Sequence, residues 1–307
     1  MKDSTKKASK DFGLDHAEQT AHLYMYIKYI DHYLHKLGKP LNLVSKEPET
    51  DLPEDIAEIL DLYTLKVLRE ALSAETSTYH GKVMPLSHAE DLVMVREDID
   101  LGPQETVIPF KIAHDIVLKN PQNIAVFDCP CRSLQENPCE PLEVCLAVGD
   151  PITSFILEHG SFKARKISSD EAVEILRAED KRGHVHNAFF KDVAGGRFYA
   201  ICNCCPCCCV GMKAWNMLGT PMLASSGYVA TVSEDCTGCG DCVEICPFNA
   251  IEVGETAVLD PVKCMGCGVC ESACEYDAIE LVLDPTRSDP LDIKKLVAEH
   301  AETSTEV

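Results

Sequence analysis

The chain has 307 residues, 46% hydrophobic and 25% charged, and its 50 acidic against 28 basic side chains give a formal charge of −22. That length accommodates two or three hydrophobic cores, and the sign of the charge argues against nucleic acid and for docking on a basic protein surface. The basic residues of MKDSTKKASKDFGLDHAEQ run into no apolar segment, and nothing approaches the roughly 18 consecutive apolar residues of a membrane span, so a cytoplasmic chain without membrane insertion is expected, its 18 cysteines reduced and available to metal.

No cysteine precedes residue 129. In that region Leu23, Ile27, Ile30, Leu34 and Leu37 recur at helical spacing until Gly38 and Pro40 close the segment, predicting one amphipathic helix. A second helix is predicted from Pro53 to Leu72 and a shorter one from Ala89 to Val95. These helices are expected to pack on the rest of the chain or to dock a partner.

From residue 106 the pattern alternates. TVIPF reads as a strand, KIAHDIVLKN as a helix, and NIAVF as a strand running into Cys129. The segment around Cys145 reads as a loop followed by a helix. Ser168 and Glu171 form a capping box for a helix that stops by Gly183, and HVHNAFF and RFYAIC read as strands separated by an Ala-Gly-Gly turn. The expected fold class is α+β: a helical N-terminal region (1–105), a small α/β cysteine-rich domain (106–227), a C-terminal metal domain (228–284) and an acidic tail (285–307).

The strongest signal is Cys236-Thr-Gly-Cys239-Gly-Asp-Cys242-Val-Glu-Ile-Cys246-Pro247, repeated 28 residues later as Cys264-Met-Gly-Cys267-Gly-Val-Cys270-Glu-Ser-Ala-Cys274. Cysteines at two-residue intervals let a tight loop wrap one face of an iron–sulfur cube, with glycines relieving the crowding. Zinc pairs are generally written CxxC…CxxC rather than as four-cysteine runs followed by proline. Over roughly residues 228–284 the chain resembles the two-cluster bacterial ferredoxins, departing at Glu275, where the first run has proline. The resemblance implies two [4Fe–4S] clusters passing single electrons, one held by Cys236, Cys239, Cys242 and Cys274, the other by Cys264, Cys267, Cys270 and Cys246, because the last cysteine of each run serves the other cluster.

Ten cysteines remain. Cys129, Cys131, Cys139 and Cys145 lie in DCPCRSLQENPCEPLEVCL, and Cys202, Cys204, Cys205, Cys207, Cys208 and Cys209 in ICNCCPCCCVGM. A lone buried cysteine is ordinarily a small hydrophobe, but six in eight positions call for a metal that holds them as thiolates. The two blocks resemble a mostly uncharacterised iron–sulfur protein family in which CxCR…PCEPLEVCL and NCCxCCC segments precede a ferredoxin tail. A further iron–sulfur cluster is the leading expectation, four thiols in each block sufficing for a cube, with ligands from one block or shared between the two, and two thiols being spare. One larger cluster, a zinc site and a redox-active dithiol stay open. His184 and His186 are placed near this site, as a hydrogen-bonded or exposed pair or as groups that ligate or protonate at the cluster, and Arg132 as a residue that stabilises thiolates, binds an anionic substrate or forms a structural salt bridge.

No GxGxxG or GxxxxGK[ST] motif occurs, so electrons are expected to come from a redox partner protein, in an anaerobic redox system. Three readings follow: an electron relay serving the upstream centre, an oxidoreductase component whose upstream centre reduces a substrate, and a redox sensor. No catalytic residue is assigned.

Overall fold

The computed structural model describes residues 3–11, 17–72, 79–109 and 115–305. Its centre is an eight-stranded mixed sheet: β1 (Tyr79–Met84), β2 (Ile99–Pro103), β3 (Asp115–Asp128), β4 (Glu143–Asp150), β5 (Ala164–Ile167), β6 (Val185–Lys191), β7 (Arg197–Cys204) and β8 (Leu223–Ala224). The order is β2-β3-β4-β7-β6-β1-β8, with β5 added on β3. Along that path every pairing is antiparallel except β1 with β8. Gly195 and Gly196, both at positive φ, close the β6–β7 turn where side-chain-bearing residues would be strained.

Successive residues of a strand face opposite ways, and each face of this sheet has its own core. On β4, Cys145 and Ala147 point to one face and Leu146 and Val148 to the other. The first face is covered by α2 (Ala17–Lys28), α3 (Ile30–Gly38), α4 (Glu54–Leu72) and α7 (Ile152–His159), through Leu23, Ile27, Tyr33, Leu60 and Phe155 among others. The second face is covered by α5 (Leu86–Val93), α8 (Ser169–Asp180) and α12 (Ile293–Thr305), through Leu92, Leu176 and Ile293. A short α1 (Asp3–Asp11) packs against α7.

The C-terminal module has two small two-stranded sheets, β9 (Tyr228–Val232) with β12 (Ile279–Leu283) and β10 (Ile251–Val253) with β11 (Ala257–Leu259), and two facing helical turns, α10 (Asp241–Ile245) and α11 (Val269–Ala273). It has its own small core around Ala230, Ala250, Ile251 and Ile279. It is also sewn into the main body, because Phe248, Met265, Cys267 and Val269 belong to the core of the first sheet face.

The mixed α/β character matches the sequence reading, with local differences. The helix expected over Leu23–Leu37 is two, since Tyr29 (φ −124°, ψ 36°) leaves helical geometry between α2 and α3. Residues 79–103 contribute β1 and β2 to the sheet, so the region expected to be helical to residue 105 is helical only in part. The strand expected over TVIPF is instead a turn and bend over residues 106–108 that buries Val107 and Ile108, and its Phe110 lies outside the described residues. The helix expected over KIAHDIVLKN has its first residues outside the described ones, and from Asp115 onward the chain is strand, where Ile116 and Leu118 alternate into the second core. Cys145, expected on a loop followed by a helix, is on β4, with α7 following from Ile152. The Ser168 cap forms as expected, its Oγ accepting the Glu171 N–H at 3.1 Å. The expected acidic tail includes α12, pinned by buried Leu291 and Ile293 and by a Lys294–Asp91 ion pair at 2.7 Å. Among the described residues no helix is long and apolar enough to cross a membrane.

Candidate metal centres

In the module, two cavities form between α10, α11 and the small sheets. One, of about 330 Å³, is lined by Cys236, Cys239, Cys242 and Cys274; the other, of about 320 Å³, by Cys246, Cys264, Cys267 and Cys270. Each thus collects three cysteines of one run and the last cysteine of the other. Backbone N–H groups of Ala257, Ala250, Gly266 and Ala278 donate to the Sγ atoms of Cys236, Cys246, Cys264 and Cys274 at 3.3–3.4 Å, which favours thiolate over thiol. Gly266 has φ +63°, and a Cβ there would lie 2.2 Å from the Tyr228 carbonyl oxygen. The equivalent Gly238, φ +68°, would meet the Glu255 carbonyl at 2.6 Å. Only glycine brings these loops close enough to close the cavities. Four converging sulfurs, N–H donors to them and an apolar lining fit a [4Fe–4S] cube in each.

The cavities differ in depth. Cys239 is exposed, whereas Cys264, Cys267 and Cys270 are all buried. The departure from repeat symmetry has a reason in this asymmetry: Pro247 is buried against the main body and its carbonyl accepts from Asn216 Nδ2 at 3.0 Å, while Glu275 faces solvent. This is a ferredoxin-like iron–sulfur module. Residues 235–278 match the family described as the 4Fe-4S dicluster domain. A search of the curated proteins returns no match to the chain.

The ten upstream cysteines group across the two sequence blocks, the sharing of ligands between blocks that the sequence left open. Cys139, Cys205, Cys207 and Cys208 form a quartet at the surface, with all four sulfurs within 4.8 Å of one another. Cys139 Sγ is 2.7 Å from Cys207 Sγ, and the Cys139 N–H donates to Cys208 Sγ at 3.4 Å. A tetrahedral ion bound by four thiolates at about 2.3 Å sets its sulfurs roughly 3.8 Å apart, so the quartet suits a single ion. Hydrogen bonding from Cys208, with the Arg132 charge helping against burial, lowers the Cys205 thiol to about 5.

The other six, together with Cys205 of the quartet, line one cavity on the first sheet face, so Cys205 stands in the wall between the two groups. Cys129 closes β3, Cys131 lies in the one-turn helix α6 (Pro130–Ser133), Cys145 is on β4, Cys202 and Cys204 are on β7, and Cys209 caps α9 (Val210–Leu218). Around the cavity each of the six thiols shifts the ionisation of its neighbours, in the order Cys129, Cys131, Cys209, Cys204, Cys202, Cys145 and back to Cys129, so they stand as a ring. A β-bulge between Phe189 and Phe190 of β6 and Ala200 and Phe198 of β7 turns both Tyr199 and Ala200 toward this cavity. Tyr26, Ile30 and Leu34 of α2 and α3 roof it, so the N-terminal helices form part of this site.

Arg132 also lines the cavity and is wholly buried. It donates to Glu179 Oε2 at 2.6 Å and to the carbonyls of Pro141 at 2.5 Å and Asn203 at 3.1 Å. Its buried Nε has no protein acceptor among the described residues. His184 Nδ1 is 2.6 Å from Glu179 Oε2, and His186 Nδ1 donates to Asn203 Oδ1 at 2.6 Å. The histidines therefore buttress the Arg132 shell and neither lines the cavity.

Sequence reasoning missed Glu179, Asn203, Tyr26 and Tyr199. Tyr199 hydrogen-bonds Tyr26 at 2.8 Å across 173 residues, and Lys191, wholly buried, sits 5.1–5.5 Å from the ring centres of Tyr26, Tyr33 and Tyr63. Tyr26 lies within the predicted first helix and Tyr199 within the RFYAIC strand, and burial at those positions is the signal by which they could have been found. No local signal marked Glu179.

Proposed function

We propose that this chain is an electron relay: the ferredoxin-like module holds two [4Fe–4S] clusters and connects a redox partner protein to a cysteine-rich metal centre formed by the upstream thiols. The observation that carries this reading is the continuity of the core. Met265 and Cys267, at the inner module cavity, share one packed apolar cluster with Cys129, Cys145, Cys204 and Cys209 of the upstream ring. Asn216, on the helix capped by Cys209, is hydrogen-bonded to the carbonyl of the residue after Cys246. Close-packed, water-free contact holds two redox sites at a fixed separation.

The gradient of exposure gives the relay a direction in space. Electrons from a partner enter at the outer cavity, where Cys239 reaches the surface, and move through the inner cavity toward the buried ring. The acidic charge of the chain steers a basic partner to it. The clusters, when bound, supply the one-electron chemistry; the chain supplies thiolate ligands, N–H donors to sulfur and the exclusion of water.

The test is a variant carrying Cys242→Ser and Cys270→Ser, which removes one ligand from each module cavity. Reduction of the upstream centre by a low-potential one-electron donor protein is expected to stall while that centre stays loaded. Unchanged reduction kinetics would refute the relay and favour direct delivery to the upstream centre.

A further inference from the structure

We propose that the upstream cysteines make two metal sites of different kinds: the surface quartet holds one tetrahedral ion of the zinc type, and the buried ring of six holds an iron–sulfur cluster larger than a single cube. This rests on the reading that the upstream thiols bind metal, and it adds their division, nuclearity and separate occupants.

The division follows from where the fold sends each thiol. Cys139, in the loop after α6, crosses to the turn carrying Cys205, Cys207 and Cys208. Those four sulfurs converge as tightly as one ion requires. The eight module cysteines form no group of that tightness, as suits sulfurs that surround a cube instead of touching a common atom.

The ring has the opposite character. It takes three thiols from each sequence block, so it is assembled only when β3, α6, β4, β7 and α9 are all in place. Its cavity is lined by all six of these thiols, where each module cavity is lined by four. Those two each suit a cube with four sulfurs and provide the yardstick within the same chain. Six thiols exceed what a cube needs. Six buried thiols left without metal would also leave an easily oxidised ring in the core.

The charge is matched as well. Arg132 brings a buried guanidinium to the wall, fixed from behind by Glu179 and by the carbonyls of Pro141 and Asn203, with its Nε still able to donate. A cluster sulfur or ring thiolate is the acceptor that this N–H lacks.

The experiment is a metal inventory of the full-length protein loaded anaerobically with iron, sulfide and zinc, with ⁵⁷Fe Mössbauer spectra of the unaltered chain. The module accounts for roughly eight irons. More than about a third of the iron absorption is expected outside the two cubes, since the ring adds more than about four irons. Cys139→Ser with Cys207→Ser, at the surface, is expected to release about one zinc and no iron. Cys145→Ser with Cys202→Ser is expected to release more than about four irons while the zinc and the module's electron paramagnetic resonance signals persist. A loss of about four irons from the ring variant would mean a single cube with two spare thiols and would overturn the proposal. Iron lost from the quartet variant, or an unaltered-chain spectrum accounted for wholly by cubes, would also overturn it. None of these readouts depends on electron passage, so the relay and this division fail separately.

Discussion

Replacing Arg132 by methionine removes the only guanidinium seen in the wall of the upstream cavity. The side chains of Arg132 and Glu179 are 0% and 1% exposed, so the substitution strands a carboxylate out of reach of water. Glu179 keeps His184 at 2.6 Å and the half-exposed Arg182 at 2.9 Å, which compensate it only in part. Breaking one side of a buried pair costs about 3–5 kcal/mol, whereas replacing both sides by apolar groups of similar volume is close to neutral. Denaturant unfolding under anaerobic conditions is therefore expected to show Arg132→Met destabilised by about 3–5 kcal/mol and Arg132→Met with Glu179→Leu restored to near the parent. The restored double variant still lacks the Nε donor, so the absorption and magnetic spectra of its upstream centre are expected to differ from the parent's. The pair also has a pH signature. Burial raises the Glu179 carboxyl, but hydrogen bonds from His184 and Arg132 more than offset it, leaving its pKa below the ordinary value. Its stabilisation is thus complete above the unfolded glutamate pKa and is lost as pH falls through the lowered folded value. A single-variant cost under about 1 kcal/mol, the range of a surface pair, would refute this account of the shell.

Three further outcomes are expected. Gly266→Ala meets the Tyr228 carbonyl at 2.2 Å, whereas a Cβ at Gly240, φ +94°, meets nothing within 4 Å. Gly240→Ala should cost about 1–2 kcal/mol for its backbone conformation alone, and Gly266→Ala a further 1–3 kcal/mol, roughly, with chelators stripping the inner cluster faster; equal behaviour would contradict the packing described. Lys82 is buried, donates to Ser288 Oγ at 2.8 Å, and is lowered by desolvation to about 7. The unfolded chain then binds the extra proton between pH 7 and about 10.4, so stability should rise with pH across that window, and Lys82→Met should flatten the rise in melting curves. Lys191→Met, which empties the tyrosine cage beside Tyr26 and removes the cation 3.1 Å from Asp192, should lower the melting temperature of the shared core; a melting curve indistinguishable from the parent's would contradict the buried cage.

The module was legible because its information is local: ligand spacing, the 28-residue repeat and the glycines lie within short loops, and the cavities follow from them. The upstream centre was legible only as composition. That Cys139 leaves its block to join Cys205, Cys207 and Cys208 depends on the pairing of β3, β4 and β7, which no spacing rule encodes. Cys145 read as part of a loop because PLEVCLAV carries apolar residues compatible with either period, and its strand was decided by neighbours on both sides. Arg132 was singled out, but its partner Glu179 lies 47 residues away on α8, where it reads as an ordinary acidic residue late in a helix. Tyr29, which splits the predicted first helix, carries no glycine or proline signal. Local chemistry announced the ligands, and the tertiary fold apportioned them.

The relay is tested most directly by mixing the fully loaded, oxidised protein with a reduced low-potential donor protein and freezing samples through the reaction for electron paramagnetic resonance. Signals of the module clusters are expected to appear first and those of the upstream centre to grow as electrons pass inward. An upstream centre reduced before the module, or at a rate indifferent to the module's state, would contradict the account.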